Sequence, residues 1–519
     1  MSYTVEIQIQ QGAESVRYLA TIDESGEQAL LDREATWVPV LDLSRWCEVG
    51  GECVAQDSPT GKREGPLRLN RAQIRTWCEV DASSMVHVEE EEWAKESLRR
   101  VLVDFFGGRL GDLTLLEWSL ATWEHVNFDL AMEEIKGTGD SGLSVLGFSI
   151  EGLGNDEDVL GVVRGERVSS PNVQVAPPDL LLRKCGLHRQ RACVGRGIWR
   201  MQTDLGPVAV SLAEPKYSFE NDLKIQVLAR DSVAAETFLE TTKRSLERLS
   251  VFRGQQLVMR GGQVEFVDPP APAREDLILG DGLLDLIERT VLPDSGLRSK
   301  ILEAGFSTRR GLLLHGPPGN GKTLTCKYLM HRMEGHTRII LSGGDLKHIV
   351  RAYDMARKLR PSVLVLEDVD LIGSDREQGQ DTGSLHDLLQ ALDGVESNEE
   401  VTTLFTTNRP DFLEKALAQR PGRVDQAIEI TRPRPEQRLQ LMHRLSRNMQ
   451  IGGNLESFVD RLDGASGALI EEFLRRALLI AESSGSSAVE QEHLQSSYEE
   501  LVLSQDGLTR RVLGYSGGQ

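Results

Sequence analysis

One eight-residue run narrows the folding options of this chain more than any other: Gly316-Pro317-Pro318-Gly319-Asn320-Gly321-Lys322-Thr323. Three glycines and two prolines so close together exclude a regular helix or strand and demand a loop whose backbone takes angles closed to larger residues. A short apolar stretch, Leu312–Leu314, runs into the loop, and a helical pattern beginning near Lys322 and Leu324 runs out of it. Strand, glycine loop and helix in succession open a β-α-β unit, which calls for a parallel sheet covered by helices.

The run fits G-x-x-x-x-G-K-[ST] at every position. In such a loop the backbone N–H groups turn inward on an anion, no Cβ stands in the way, and the next helix adds its positive end. The expected ligand is a nucleotide, held by Gly316 through Leu324, with Lys322 reaching the β- and γ-phosphates and the Thr323 hydroxyl reaching Mg²⁺.

Further on, Val363-Leu364-Val365-Leu366 leads straight into Glu367-Asp368-Val369-Asp370. An unbroken apolar run ending in acid is the pattern of a buried parallel strand that delivers carboxylates at its C-terminal end. Nucleotide hydrolases commonly present Asp and then Glu at this place, and here the order is reversed.

At 519 residues the chain is too long for one core, so several domains are expected. A net charge of −21 opposes binding to nucleic acid or an anionic membrane. No apolar run approaches the roughly 20 residues of a membrane span. The opening Met1-Ser2-Tyr3-Thr4-Val5-Glu6-Ile7 alternates like a first strand rather than a signal peptide, and the expectation is a cytosolic protein. Cys185, His188 and Cys193 lie close together, but their spacing matches no standard zinc pattern.

Two proline-rich seams, residues 169–179 and 267–276, suggest semi-rigid connectors. They divide the chain into an N-terminal α+β domain over 1–168, a small α+β domain over 179–266, and a nucleotide-binding domain from 276. In the first, the segment from Val88 to Phe106 is expected to form a helix whose four consecutive glutamates make a solvated first turn, and the Gly-rich 136–158 is expected to form a loop. In the second, a strand over 223–229, a helix over 232–250 and a hairpin around Gly261-Gly262 are expected. Nothing before Pro269 carries recognisable chemistry.

From about Asp276 to Leu503 the chain resembles the AAA family of P-loop ATPases. Four stretches in family order carry the resemblance: GPPGNGKT; SLHDLLQALDGV; TTNRPDFLEKALAQRPGRVDQAIEI from Thr406; and GASGALIEEFLRRALLIA from Gly464. The implied fold class is α/β, a P-loop NTPase parallel sheet core with a C-terminal α-helical lid, preceded by α+β N-terminal domains. That places the nucleotide-binding domain at 276–432, the lid at 433–505 and a tail at 506–519. The resemblance makes Asn408 a polar sensor near the γ-phosphate, Arg420 and Arg423 arginine fingers that reach a neighbouring subunit's nucleotide, and Gly280 a neighbour of the adenine. It implies ATP and Mg²⁺ as ligands and a homo-oligomer, the family's usual ring being a hexamer. A guanidinium suits the finger role because it stays charged and spreads donors over phosphoryl oxygens.

Glu367-Asp368-Val369-Asp370 overlays the family's D-E-[IV]-D without a gap, which puts Glu367 on the Mg²⁺ side and Asp368 on the attacking water. A similar Leu-Glu-Asp-Val-Asp is familiar from the AAA branch that assembles respiratory complexes in mitochondria. Exchanging the acids changes their reach by on the order of 1.5 Å each way, and a misplacement of about 1 Å is able to slow a reaction roughly a hundredfold. The backbone or an intervening water is able to absorb that change, so the site is read as competent for hydrolysis, with slow turnover allowed and binding alone as the alternative. The aromatic pore loop of the threading members is missing between Ile340 and Val363. Its only aromatic, Tyr353, sits mid-helix in a packing position, and residues 373–384 are left as a polar loop that either lines a pore or contacts a partner. The leading functional reading is an ATPase that remodels a protein partner held by the N-terminal half. The alternative is an ATP-binding switch or scaffold with slow hydrolysis and no threading.

Overall fold

Strand pairing, rather than the proline seams, sets the boundaries of this chain. The structure, a computed structural model, describes residues 3–11, 14–22, 28–32, 52–56, 66–69, 97–137, 144–150, 158–165, 173–213, 222–292, 300, 303–304, 310–371, 400–411 and 424–503. The chain divides into two units, Met1–Val251 and Phe252–Gln519.

Among its described residues the first unit contains two sheets. Strands β1 (Tyr3–Gln11), β2 (Glu14–Ile22), β3 (Gln28–Asp32), β4 (Glu52–Gln56) and β5 (Pro66–Leu69) pair in sequence order. The alternation at the N-terminus thus becomes a strand, antiparallel to β2 with Tyr3 opposite Ile22. The second sheet is built from β6 (Thr114–Ala121), β7 (Ser144–Ile150), β8 (Val173–Ala176), β9 (Asp179–Lys184), β10 (Gln190–Thr203), β11 (Gly206–Ala213) and β12 (Asp222–Ala229). Its order is β6-β12-β11-β10-β7-β8, with β9 also paired to β10.

Both faces of this second sheet are covered. Helices α1 (Leu98–Phe106) and α3 (Val159–Arg164) pack with Leu146, Phe148, Ile198 and Ala209 on one side. Helices α2 (His125–Gly137) and α4 (Ser232–Arg248) pack with Trp199, Val208, Val210 and Leu212 on the other. Neighbours along β11 therefore enter opposite cores, as the period of a strand requires. Helix α4 buries Ala235, Phe238, Thr242 and Leu246 and is capped by Asp231, whose side chain accepts from Ala234 N at 2.9 Å.

Three expectations are corrected here. The first proline seam is no connector, because β8 and β9 on either side of Pro177-Pro178 belong to one sheet. Proline is tolerated at strand ends, where no ladder hydrogen bond is forfeited. The Gly-rich segment contains β7, where Val145, Leu146, Phe148 and Ile150 outweigh the glycine. Gly147 is required there, since a Cβ would lie 2.0 Å from the Pro177 carbonyl oxygen. Helix α1 begins only after Ser97, whose backbone is extended (φ −66°, ψ 123°), rather than running unbroken from Val88, and the four glutamates lie outside the described residues.

The second unit is organised by one seven-stranded sheet. Strands β15 (Arg310–His315), β16 (Thr337–Ser342), β17 (Ser362–Glu367), β18 (Val401–Thr407) and β19 (Gln426–Glu429) are mutually parallel in the order β16-β17-β18-β15-β19. Helices α5 (Leu283–Val291), α6 (Lys322–Arg332) and α7 (Ile349–Lys358) belong to this layer. Ile287, Val291, Cys326, Leu329 and Met330 pack with Leu312, Val363 and Leu404 of the strands.

The hairpin β13 (Gln256–Arg260) and β14 (Gln263–Phe266) does not close a separate small domain. Strand β13 runs parallel to β16, with Leu257 opposite Ile339, and extends the sheet past its fifth strand. Gly261 and Gly262 both take positive φ (55° and 77°), the primed turn that matches strand twist. Gly254 N donates to Thr337 Oγ1 at 3.0 Å, and Arg253 Nη2 donates to the Lys358 carbonyl at 3.2 Å. The expected domains over 1–168 and 179–266 thus differ from the strand pairing at both edges.

A helical lid follows: α8 (Pro435–Leu445), α9 (Gly467–Ser483) and α10 (Gln491–Tyr498). Its own core joins Met442, Phe458, Leu462, Phe473, Leu474 and Leu494. Asp276, the last residue of the second proline seam, is shared by two lid arginines, with Arg444 Nη2 at 2.6 Å and Arg447 Nη1 at 3.5 Å. Backbone N–H donation from Ala273 and these cations lower the Asp276 pKa against the opposing effect of burial. Among the described residues no helix is long and apolar enough to cross a membrane.

Because β13 caps the edge of β16, a fragment beginning at Asp276 would leave the outer edge of β16 at Arg338–Ile340 unpaired. Such a fragment is expected to aggregate, whereas one beginning at Phe252 stays monodisperse. Size-exclusion chromatography of the two decides the point, and equal behaviour would show that the hairpin is dispensable.

Candidate active site

The loop between β15 and α6 takes its shape from glycine. Gly316 has φ 134°, and a Cβ there would meet the Ile430 carbonyl oxygen at 2.3 Å. Gly319 has φ 76°, and a Cβ would press on Ala468 Cβ at 2.9 Å and Ser466 Oγ at 3.0 Å. Both are sites of close approach as well as positive φ, so no other residue fits either place without displacing backbone. The lid meets the loop at Gly319, whose carbonyl accepts from Ala468 N at 2.9 Å, at the first turn of α9. Pro318 is exposed, Leu324 is 36% exposed, and Asn320 donates from Nδ2 to the Pro317 carbonyl at 3.2 Å.

Lys322 is buried and points back along the loop. Its Nζ donates to Gly316 O at 2.8 Å, Pro317 O at 2.9 Å and Asn408 Oδ1 at 2.8 Å. Burial pushes its pKa below the ordinary lysine value, and the carboxylates of Asp368 and Asp370 oppose that shift. Asn408 donates in turn from Nδ2 to Asp368 Oδ1 at 3.1 Å. A lysine, an amide and a carboxylate therefore form one hydrogen-bonded series that joins the phosphate loop to the ends of β17 and β18.

The two acids part company at the end of β17. Glu367 keeps the strand conformation and is hydrogen-bonded to Thr323. Burial raises its pKa, while Thr323 and the charge of Lys327 act against that. Asp368 turns away at φ 52°, the sole positive φ outside glycine among the described residues. Its N–H donates to Thr406 Oγ1 at 3.0 Å, and the next N–H, of Val369, donates to Thr406 O at 3.0 Å. Asp is among the few residues with a side chain that visit this left-handed region readily, and Glu is not. The reversed order thus has a backbone reason: the longer acid stands on extended chain and the shorter one on the turn.

Of the expected site residues, Gly316 through Thr323, Glu367, Asp368 and Asn408 come together here. Gly280 sits at the turn into α5, accepting from Leu283 N at 3.0 Å. Arg420 and Arg423 lie outside the described residues, as does the polar loop 373–384. Tyr353 is 1% exposed and donates to Thr403 Oγ1 at 3.1 Å, a packing position. The link from β16 to α7 is a six-residue 3₁₀ segment, Gly343–His348, with no added loop. Cys185 and His188 lie at the β9–β10 turn, whereas Cys193 is buried in β10, where its thiol pKa is raised by burial.

Three participants were not assigned from sequence. Thr406 holds the turn at Asp368, and Thr407 and Asp370 form a hydrogen bond of 2.8 Å at the end of β18. The signal was present: Thr402, Thr403, Thr406 and Thr407 are four buried hydroxyls in one strand, and buried hydroxyls need partners.

A glycine-shaped loop at the C-terminal end of a central parallel strand, with a buried lysine beside a pair of acids, defines a P-loop nucleotide-binding fold. Its strand order and lid narrow the class further. Residues 312–432 match the ATPase family associated with various cellular activities (AAA), so the chain carries an AAA ATPase domain. The 26S proteasome regulatory subunit 8 of Dictyostelium discoideum is 36% identical over 195 residues, 34% of this chain and 48% of the relative. Its homolog B from Arabidopsis thaliana is 34% identical over 195 residues, 34% of this chain and 46% of the relative. The proteasome-activating nucleotidase of Methanoregula boonei is 30% identical over 258 residues, 46% of this chain and 58% of the relative. The chain spans about half the length of the curated relatives it matches.

The chemistry of the donor set suits Mg²⁺, since Thr323 and Glu367 offer hard oxygens on one side of the loop and already lie within hydrogen-bonding contact. Restoring the common acid order in the double variant E367D/D368E should place Glu on the left-handed turn. That change is expected to lower stability by about 1 kcal/mol and turnover by roughly tenfold to a hundredfold. Thermal unfolding and phosphate release measure the two effects, and an unchanged melting temperature with faster turnover would refute the backbone explanation.

Proposed function

We propose that this chain is a Mg²⁺-dependent ATPase, splitting ATP to ADP and phosphate, and that it couples the reaction to remodelling of a protein partner held by its N-terminal half. The observation that carries the proposal is the hydrogen-bonded series Lys322–Asn408–Asp368 standing beside the separate pair Thr323–Glu367. The two acids serve two tasks because the backbone parts them.

Gly316 through Leu324 bind the nucleotide, Gly280 adjoins the base, and Lys322 exchanges its loop carbonyl partners for phosphate oxygens. Thr323 and Glu367 hold Mg²⁺, which when bound neutralises charge developing on the phosphates. Asp368 orients and polarises the attacking water, and Asn408 keeps that carboxylate in register with the lysine. Arg420 and Arg423 complete the site of a neighbouring copy, which makes the working form a homo-oligomer and, by family resemblance, a hexameric ring. Similarity to proteasome regulatory subunits and a proteasome-activating nucleotidase supports a protein as the partner.

A second reading has its own observation. The six-residue link Gly343–His348 leaves no room for an aromatic pore loop, which favours a nucleotide-dependent switch or scaffold with slow hydrolysis and no threading.

Lys322→Ala is expected to lose nucleotide binding, whereas Asp368→Asn binds ATP and fails to turn it over. Normal turnover by the Asp368 variant would remove that residue from its assigned role. Solution mass with ATP, ADP and no nucleotide, measured beside phosphate release, separates the two readings. Rapid hydrolysis that rises with assembly supports the remodeller, and a stable ATP-bound monomer or dimer supports the switch.

A further inference from the structure

The roles assigned so far leave the last acid of Glu367-Asp368-Val369-Asp370 unused. Asp370 Oδ1 accepts two hydrogen bonds, from Thr407 Oγ1 at 2.8 Å and from the backbone N–H of Asn408 at 3.2 Å. The same Thr407 hydroxyl accepts from Arg409 N at 2.9 Å, so one carboxylate and one hydroxyl grip three consecutive residues.

The grip matters because of where the sheet stops. Strand β18 pairs with β15 as far as Thr407 opposite His315, and with β17 only as far as Phe405 opposite Leu366. Asn408 stands one residue beyond the first ladder and three beyond the second, so sheet pairing does not hold its main chain. Its side chain must nevertheless span from Lys322 Nζ to Asp368 Oδ1, with 2.8 Å on one side and 3.1 Å on the other. An amide has little slack for two such contacts, because hydrogen bonds weaken steeply with distance and angle.

We infer that Asp370 is a positioning residue for ATP hydrolysis: it fixes the backbone of Asn408 so that the amide bridges the lysine and Asp368. The inference rests on the ATPase reading above. With Oδ1 taken by two donors from the end of β18, Asp370 acts on the site through Asn408.

The test compares full-length D370A, D370N, N408A and the double variant D370A/N408A in phosphate release, nucleotide affinity and thermal unfolding. Removing the carboxylate should lower kcat between about tenfold and a hundredfold, as expected for a displaced catalytic group, with ATP affinity changed less than about threefold. D370N retains an acceptor oxygen at the same place and should restore the larger part of the lost turnover. The double variant should be no slower than N408A, since both changes disable one device. Multiplying losses in the double variant, D370N as slow as D370A, or a loss of kcat matched by partial unfolding at the assay temperature would each overturn the inference. If the wild-type chain binds ATP without hydrolysing it, the ATPase reading fails, and the ratio of ATP to ADP affinity becomes the readout. D370A must then shift that ratio to the N408A value, and an unchanged ratio overturns the role of Asp370.

Discussion

The site depends on a single buried positive charge. Lys322 lies within the protein, and a buried ammonium without partners would be strongly unfavourable. Two loop carbonyls and one amide oxygen satisfy its donors, while Asp368 and Asp370 supply the opposing charge. Each partner comes from a different part of the sheet: the loop after β15, the end of β17 and the end of β18. Holding one charge therefore brings three strand ends to a common point, and the glycines permit it by letting the loop pass close to Ile430 and Ala468.

Most of this half was legible because its residues have few alternatives. A glycine loop bearing lysine and threonine between an apolar strand and a helix has one sensible geometry, and an apolar run ending in acids has one sensible place in a parallel sheet. The hidden parts were set by pairing between distant segments. Residues 256–266 have the alternation and paired glycines of a hairpin, but nothing local states that β13 will lie beside β16. The proline seam at 177–178 looked like a connector because proline is as well suited to a strand end as to a linker. Gly147 looked like loop material because a glycine required by a crowding carbonyl is indistinguishable, in sequence, from one that supplies freedom.

The reversed acids show how local and distant constraints combine. From composition alone the exchange is a change of side-chain length, neutral in charge. In place it follows the backbone, with Glu367 on the last residue of the strand and Asp368 on a left-handed turn pinned by Thr406. The buried threonines of β18 belong to the same device, since Thr406 holds the turn at Asp368 and Thr407 holds Asp370.

The ion pairs at Asp276 give the lid a handle on the chain upstream. That carboxylate lies within the connector leading out of the hairpin, and it is gripped by Arg444 and Arg447 from the end of α8 and just beyond. A lid that swings about the phosphate loop must either part these contacts or draw the connector along. Motion begun at the triphosphate would then reach the edge hairpin of the same sheet as tension in the main chain, through one anchored carboxylate acting as a tow point.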